Sequence, residues 1–490
     1  MNKPIRTIAI FCLLLFLALM LNATYLQYYR ASALDENPLN RRVLAAAFSS
    51  ERGAILVGRT PVAESEPVDD RYEFQRTYPQ PYKYAPITGW FSYYSQTGVE
   101  KSQNSVLSGD DSRLFVTRLV DLLSNSASKG GSVQLTIDPA AQDAAFDGLA
   151  ALGEGVKGAV VAIEPTSGRI LAMVSLPTYD PNELAGHDFG QVADNYERLD
   201  EQEDQPLLNR AIQTRLAPGS TFKIVTAAAA IGELGYDADS QVPGGSSYQL
   251  PETSDDTGLI DNEGRDCGTD KIPFTQAMGN SCNTTFARLA VQVGADAMLD
   301  QAEAFGFNSS YLDDLAPQAQ SNFPDEMGQA STGQTGIGQF EVQATPLQMA
   351  MVSAGIANGG TVMRPYLVDT VLTPELEPLP RTESEELSQA VTAQTADVLT
   401  DLMVYTVESG TASYAAIDNV EVAGKTGTAQ SGQDGVPPYA WFTSFAPADD
   451  PQVAVAVMIQ SAPGTEEGEI AGGALGGPIA KAVMEAVIKP

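Results

Sequence analysis

Residues 220–235, "STFKIVTAAAAIGELG", are apolar almost all the way round. The stretch follows Pro218-Gly219 and predicts a helix over 219–235, with Phe222, Ile224, Val225 and the Ala227–Ala230 run in its body. A helix without a wide polar face cannot lie on a wet surface, so the rest of the chain must enclose it. The sequence offers layers to do so. "GAVVAIEPTSGRILAMVSLP" (158–177) is two β-rich runs joined by Pro165-Thr166-Ser167-Gly168, a hairpin signal. Three more strand candidates lie near the end: "VEVAGKTGTAQ", "YAWFTSFAP" and "QVAVAVMIQ". Helices are expected at 345–356, near 390–408 and at about 474–488. In the first, Thr345 is the N-cap, Pro346 the first helical residue and Gln348 the closing member of a capping box. Residues 237–270 read as loop, and the acidic "LTPELEPLPRTESEEL" (372–387) as an exposed excursion. An early hairpin, intervening helices and three late strands predict one α+β domain with an antiparallel sheet over 156–490.

The amino terminus has a different character. Lys3 and Arg6 precede an unbroken apolar run from Ile8 to Leu21, extended by Ala23, Tyr25, Leu26, Tyr28 and Tyr29. Aromatics gather at its far end, as in an interfacial belt, and no small-x-small cleavage site follows. An uncleaved anchor over residues 1–30 is therefore favoured over a cleaved signal, with the chain beyond about residue 30 outside the cytoplasm. Residues 31–155 read as short strands and loops, rich in Tyr and Gly, with no catalytic cluster.

Composition narrows the chemistry. Asp and Glu outnumber Lys and Arg by 62 to 28, and the net charge of −34 excludes nucleic acid as a partner. The one histidine, His187, sits in a polar loop and is assigned no role. With only Cys12, Cys267 and Cys282 beside it, neither a histidine-rich metal site nor a zinc cluster can form, and no metal or cofactor is expected. Any hydrolase or acyltransferase chemistry must use a base other than imidazole.

Three short motifs supply one. "STFK" (220–223), "SCN" (281–283) and "KTGT" (425–428) occur in that order. Each is weak alone, since "SASK" (126–129) and "SQN" (102–104) also fit the first two patterns. Context separates them: Ser126 is followed by Lys129-Gly130-Gly131, whereas Ser220 opens the buried helix. Positions i and i+3 share a helix face, so Lys223 lies one turn from Ser220. Desolvated there, it can lose its proton near neutral pH and serve as the base that a serine nucleophile needs. The helix N-terminus favours a developing oxyanion. Ser281 and Asn283 can face one pocket, the first to relay a proton and the second to hold a substrate amide. On a strand, Lys425 and Gly427 share a side, and the glycine would let a substrate backbone lie close. Lys425, Thr426 and Thr428 can offer positive charge and donors to a carboxylate.

With these motifs, "RG" (52–53), "RTYP" (76–79), "LTID" (135–138), "NRA" (209–211), "APGSTFK", "GIGQFEVQATPLQMAMVSAGIANGG" and "AGKTGTAQ", the chain resembles the class B penicillin-binding proteins over nearly its whole length. It is similar to the short actinobacterial type without PASTA repeats. One departure is Val57, where the family pattern carries an acidic residue. The resemblance implies a penicilloyl-serine transferase (β-lactamase-like) domain, 156–490, with a five-stranded antiparallel sheet flanked by helices. It also implies a β-rich elongated pedestal over 31–155 and one transmembrane helix. The implied activity is peptidoglycan D,D-transpeptidation: a stem peptide ending in D-Ala-D-Ala acylates Ser220, an amine of a second stem takes the acyl group, and β-lactams block the serine. Carried over, Lys223 is the base, Ser281, Asn283 and Lys425 are catalytic, and Thr426, Gly427 and Thr428 bind substrate. Backbone N–H groups of Ser220 and Thr428 form the oxyanion hole. The family also implies a SEDS-type glycosyltransferase partner in the membrane, since 31–155 has no histidine and no paired-carboxylate motif for glycan polymerisation.

Two relatives in chemistry fit less well. A class A β-lactamase deacylates through an E-x-x-x-N loop, and between Ser281 and Lys425 no Glu has Asn four residues later. A D,D-carboxypeptidase differs only in using water as acceptor, and the pedestal argues for transpeptidation. Cys282 stands between two site residues, and its preferred reading is a disulfide with Cys267 that braces the motif from behind. A buried free thiol is the alternative.

Overall fold

The computed structural model describes residues 2–30, 34, 48–114, 129–254, 256–432, 436–462 and 472–488. The competing Ser126 lies outside them. The amino-terminal helix, Asn2–Thr24, continues through a π-helical turn, Tyr25–Tyr29, with its side chains exposed. The 27 residues Lys3–Tyr29 are, among the described residues, the one helix long and apolar enough to cross a membrane. At 1.5 Å per residue they reach about 40 Å, beyond the roughly 30 Å of a hydrocarbon core.

The enclosing layers around the apolar helix are a five-stranded antiparallel sheet and two helical faces. Strand order is Ala423–Ala429, Tyr439–Ala446, Val453–Ser461, Lys157–Ile163, Ile170–Leu176, so the early hairpin completes the sheet begun by the three late strands. Alternate residues serve opposite cores, as the two-residue period of a strand requires. Val161, Met173, Phe445 and Ala456 meet the serine helix Lys223–Leu234 and the helix Pro346–Ala357. Val160, Val174, Phe442 and Val457 meet Pro139–Ala150 and Gly472–Val487. Every residue from Lys223 to Ile231 is buried, as an all-round apolar helix demands.

The amino-terminal module is built on a second five-stranded sheet, ordered Val368–Leu372, Ser132–Leu135, Ile55–Val57, Thr60–Pro67, Phe74–Thr77. Its outermost strand on one side comes from far along the chain, so the two modules interlock rather than meeting at one junction. Under this sheet Glu100 is fully buried between two guanidinium groups, Arg52 Nε at 2.7 Å and Arg76 Nε at 2.6 Å. These two charges overcome the burial that would otherwise raise its pKa and hold it below the usual carboxylate range. Asn104, from the competing "SQN", accepts from Arg52 here and is remote in role from any serine chemistry.

Three local readings change. Residues 31–155 hold helices as well as strands, notably Pro81–Thr88 and Pro139–Ala150. Asp138 caps the second, its carboxylate accepting from the N–H groups of Ala140 and Ala141, and Pro139 opens it. The stretch 237–270 is not plain loop. It forms two short ladders, Gln241–Pro243 with Lys271–Pro273 and Ser247–Gln249 with Leu259–Asp261. The capping box at 345 is half made: Thr345 Oγ1 accepts from Gln348 N–H. The Gln348 side chain instead donates to the Phe305 carbonyl and accepts from Tyr311, because both are buried and need a partner. His187 Nδ1 lies 2.5 Å from Asp70, among Phe48, Tyr72 and Phe189, where one module meets the other.

Candidate active site

Ser220 stands in a single 3-10 turn, Gly219–Phe222, that leads into the serine helix. Gly219 takes φ +52°, and a Cβ there would lie 2.6 Å from the Thr428 carbonyl. The turn and the strand Ala423–Ala429 can therefore approach only with glycine at 219. Ser220 opens onto a cleft of about 540 Å³ whose walls include Asp261, Glu263, Arg265, Ser281, Asn283, Phe340, Thr426 and Thr428.

The two motif lysines lie beneath this cleft, both fully buried. Lys223 Nζ donates to the Ser281 carbonyl at 2.7 Å, to Ser281 Oγ at 3.1 Å and to Asn283 Oδ1 at 2.7 Å. Lys425 Nζ donates to the same Ser281 Oγ at 2.9 Å and to the Thr426 carbonyl at 3.0 Å. One hydroxyl thus links the first and third motifs. Burial pushes the Lys223 pKa well below its ordinary value, helped by the charges of Lys425 and Arg265 and opposed by Glu263. Burial does the same to Lys425, with Arg265 adding to it.

Ser281 holds an uncommon backbone, φ +56°. It is the residue after the C-cap Asn280 of the helix Phe274–Gly279. Its N–H donates to the Met278 carbonyl and that of Cys282 to the Ala277 carbonyl. That pair of bonds is the Schellman ending, whose left-handed residue is usually glycine. Cys282 is buried, does not line the cleft and is joined to Cys267, with a Cα separation of 5.8 Å.

Two expected placements differ in detail. Asn283 is engaged at both ends of its amide: Oδ1 receives Lys223 and Nδ2 donates to the Asp261 carbonyl at 3.0 Å. It orients the lysine here, and its amide nitrogen has a second N–H beyond the one given to Asp261. Gly427 lies behind the cleft surface, where a Cβ would come within 2.8 Å of the Pro218 carbonyl and 2.9 Å of Thr221. Its missing side chain lets the strand dock onto the serine turn, while Thr426 and Thr428 face the cleft. Thr426 Oγ1 also shares a hydrogen bond with Thr411 at 2.8 Å. Leu259, Ile260, Asp261, Glu263 and Arg265 line the cleft without any motif to announce them, and Gln339 and Phe340, from the stretch that begins "GIGQF", line it too.

Residues 158–485 match the family described as the penicillin-binding protein transpeptidase domain. The chain belongs to the class B penicillin-binding proteins. Residues 52–133 match the penicillin-binding protein A dimerisation domain. The peptidoglycan D,D-transpeptidase PbpA of Mycolicibacterium smegmatis is 41% identical over 495 aligned positions, covering 100% of this chain and 99% of that one. PbpA of Mycobacterium tuberculosis H37Rv shows the same identity and coverage. The ceftriaxone acyl-enzyme complex of M. tuberculosis penicillin-binding protein A superposes with a TM-score of 0.83 at 40% identity, covering 91% of this chain and 100% of that one. In a class B penicillin-binding protein, the single apolar amino-terminal helix fits a single-pass membrane anchor.

Proposed function

We propose that this protein is a peptidoglycan D,D-transpeptidase that works through an acyl-enzyme on Ser220. The observation that carries the reading is Lys223: a fully buried amine one turn after the serine, its pKa depressed, held by Ser281 and Asn283. Neutral Lys223 takes the Ser220 proton as Oγ attacks the penultimate D-Ala carbonyl carbon. The N–H groups of Ser220 and Thr428 receive the oxyanion. The C–N bond to the terminal D-Ala then breaks, and that amine leaves with a proton relayed through Ser281, which touches both lysines. An amine of a second stem attacks the ester, forms the cross-link and returns the proton to Ser220 Oγ. Lys425, Thr426 and Thr428 hold the donor carboxylate, and Gly427 sets their strand against the serine turn. A β-lactam opens on the same serine and stays.

The organisation we propose follows. Residues 1–30 are a cytoplasmic stub and anchor, 31–155 the pedestal and 156–490 the transpeptidase domain. Lys3 and Arg6 before the span support a cytoplasmic amino terminus and an external catalytic domain. The membrane helix and pedestal would offer a SEDS-type glycosyltransferase its contacts. The test is intact-mass and peptide mapping of the detergent-solubilised protein after penicillin G. One adduct on Ser220, lost in Ser220→Ala, is expected; no adduct, or one on Ser126, overturns the assignment.

A further inference from the structure

Outside the amino-terminal helix, Phe340 is the one exposed phenylalanine among the described residues, at 45%. It lines the cleft with Ser220 and belongs to none of the three motifs. Its backbone is as unusual as its exposure: φ is +62°, a left-handed conformation that a bulky L-residue rarely adopts. Among the described residues nine other than glycine have positive φ, and three of them, Glu263, Ser281 and Phe340, line this one cleft. The turn at Ser281 places a hydroxyl that both lysines use. The turn at Phe340 places an aromatic ring. Such conformations persist only where the surrounding structure over-determines them.

That structure is the serine turn itself. Thr226, in the serine helix, donates its hydroxyl to the Gly336 carbonyl at 2.9 Å. Gly219 N–H, next to Ser220, donates to the Gly338 carbonyl at 3.1 Å, and a Cβ on Gly338 would come within 2.1 Å of the Gly219 oxygen. Leu216 and Ala344 exchange both backbone hydrogen bonds, at 3.1 and 2.9 Å. Phe340 lies between the second and third of these tethers, so the turn that holds the nucleophile also fixes the backbone that carries the ring. The ring takes no part in packing the fold. Ile337, three residues earlier, packs on the core around the serine helix, whereas Phe340 belongs to no hydrophobic cluster among the described residues.

The Ser220 ester has two fates. An amine nitrogen attacks the carbonyl carbon, the C–Oγ bond breaks and Oγ takes the proton that the amine loses; alternatively water attacks in the same way and a free acid leaves. A water held for attack needs about two to four polar partners. The cleft supplies them, since Gln334, Gln339, Asn283 and Gln430 all line it. An apolar ring among these groups takes space that a water would fill and returns no hydrogen bond to it. An acceptor amine is less affected, because the chain that carries it brings its own contacts.

We propose that Phe340 shields the Ser220 acyl-enzyme from water and so sets the ratio of transfer to hydrolysis. The inference rests on the transpeptidase reading above.

For the test, full-length protein in detergent is acylated with penicillin G, freed of excess and followed by intact mass. Phe340→Gly removes the ring and the cost of positive φ together, so it should melt no lower than the wild type. It should nevertheless lose its adduct about tenfold faster, the order of one hydrogen bond gained by the attacking water. Phe340→Leu keeps apolar cover and should hold its adduct for close to the wild-type lifetime. With a D-alanyl thioester donor and D-alanine as the amine, the ratio of transferred to hydrolysed product should fall by about the same tenfold in Phe340→Gly and stay near wild type in Phe340→Leu. An adduct as long-lived in Phe340→Gly as in the wild type overturns the proposal, as does Phe340→Leu losing it as fast as the glycine variant. A Phe340→Gly protein that melts well below the wild type assigns the ring to packing and overturns it too. So does a rise in transfer that matches the rise in hydrolysis. Failure of the wild type to form any acyl-enzyme would instead refute the transpeptidase reading, and the proposal with it.

Discussion

Ser281 offers a clean way to separate backbone from side chain at this site. At φ +56° it closes the helix Phe274–Gly279 in the left-handed region, where an L-residue costs about 1–2 kcal/mol. Ser281→Ala keeps that cost, and Ser281→Gly removes it. The glycine loses about 0.4–1 kcal/mol through the greater freedom of its unfolded chain. The difference leaves Ser281→Gly more stable than Ser281→Ala by about 1 kcal/mol, or about 2 °C in a domain of this size. Both variants lack the Oγ that accepts from Lys223 at 3.1 Å and from Lys425 at 2.9 Å. Both should therefore slow acylation equally, by about 10²–10³-fold, the usual worth of a positioned proton-transfer group. Thermal unfolding of the solubilised protein gives the first quantity, and the second-order rate with a fluorescent penicillin gives the other. If Ser281→Gly melts at or below Ser281→Ala, the left-handed turn carries no cost and the reasoning is wrong. If Ser281→Ala acylates at the wild-type rate, the hydroxyl relays nothing.

Two further tests address the lysine and the disulfide. Because burial depresses the Lys223 pKa, its neutral form appears as pH rises through that lowered value, so the acylation rate should climb and level off well below the ordinary lysine pKa of about 10.4. Removing the neighbouring charge by Lys425→Ala should move the limb to higher pH. A wild-type limb near pH 10, or a shift to lower pH in Lys425→Ala, would contradict this picture. Cys267 and Cys282 are 15 residues apart, and closing that loop is worth about 3 kcal/mol in the chain-entropy treatment. The double serine variant should lose about that much in denaturant unfolding, and the unreduced wild type should titrate one thiol, Cys12. Three thiols would show the bridge to be absent.

What could be read from the chain divides by the range of the interactions involved. The serine helix and the five sheet strands were legible because their signals are local and redundant: an all-round apolar body, two-residue alternation, a Pro-Thr-Ser-Gly turn. The spacing of Ser220 and Lys223 was legible for the same reason, since positions i and i+3 lie one helical turn apart without help from elsewhere. The helix Pro139–Ala150 went unread although Asp138-Pro139 announces it, because the Tyr- and Gly-rich sequence before it suggested strands and loops throughout. Other features depend on partners far along the chain. Asn283 turns its amide oxygen to Lys223, 60 residues away, and only the packing of two helices brings that pair together. Gly427 looked like room for a substrate until the turn at Pro218 was seen to occupy that room. Arg265 is the extreme case. It sits in a stretch of turn-forming residues, and its place at the cleft arises from a buried asparagine and a disulfide that tie that stretch to the second motif. The three motifs are short local patterns, while the cleft wall that Arg265 completes is set by connections no local pattern records.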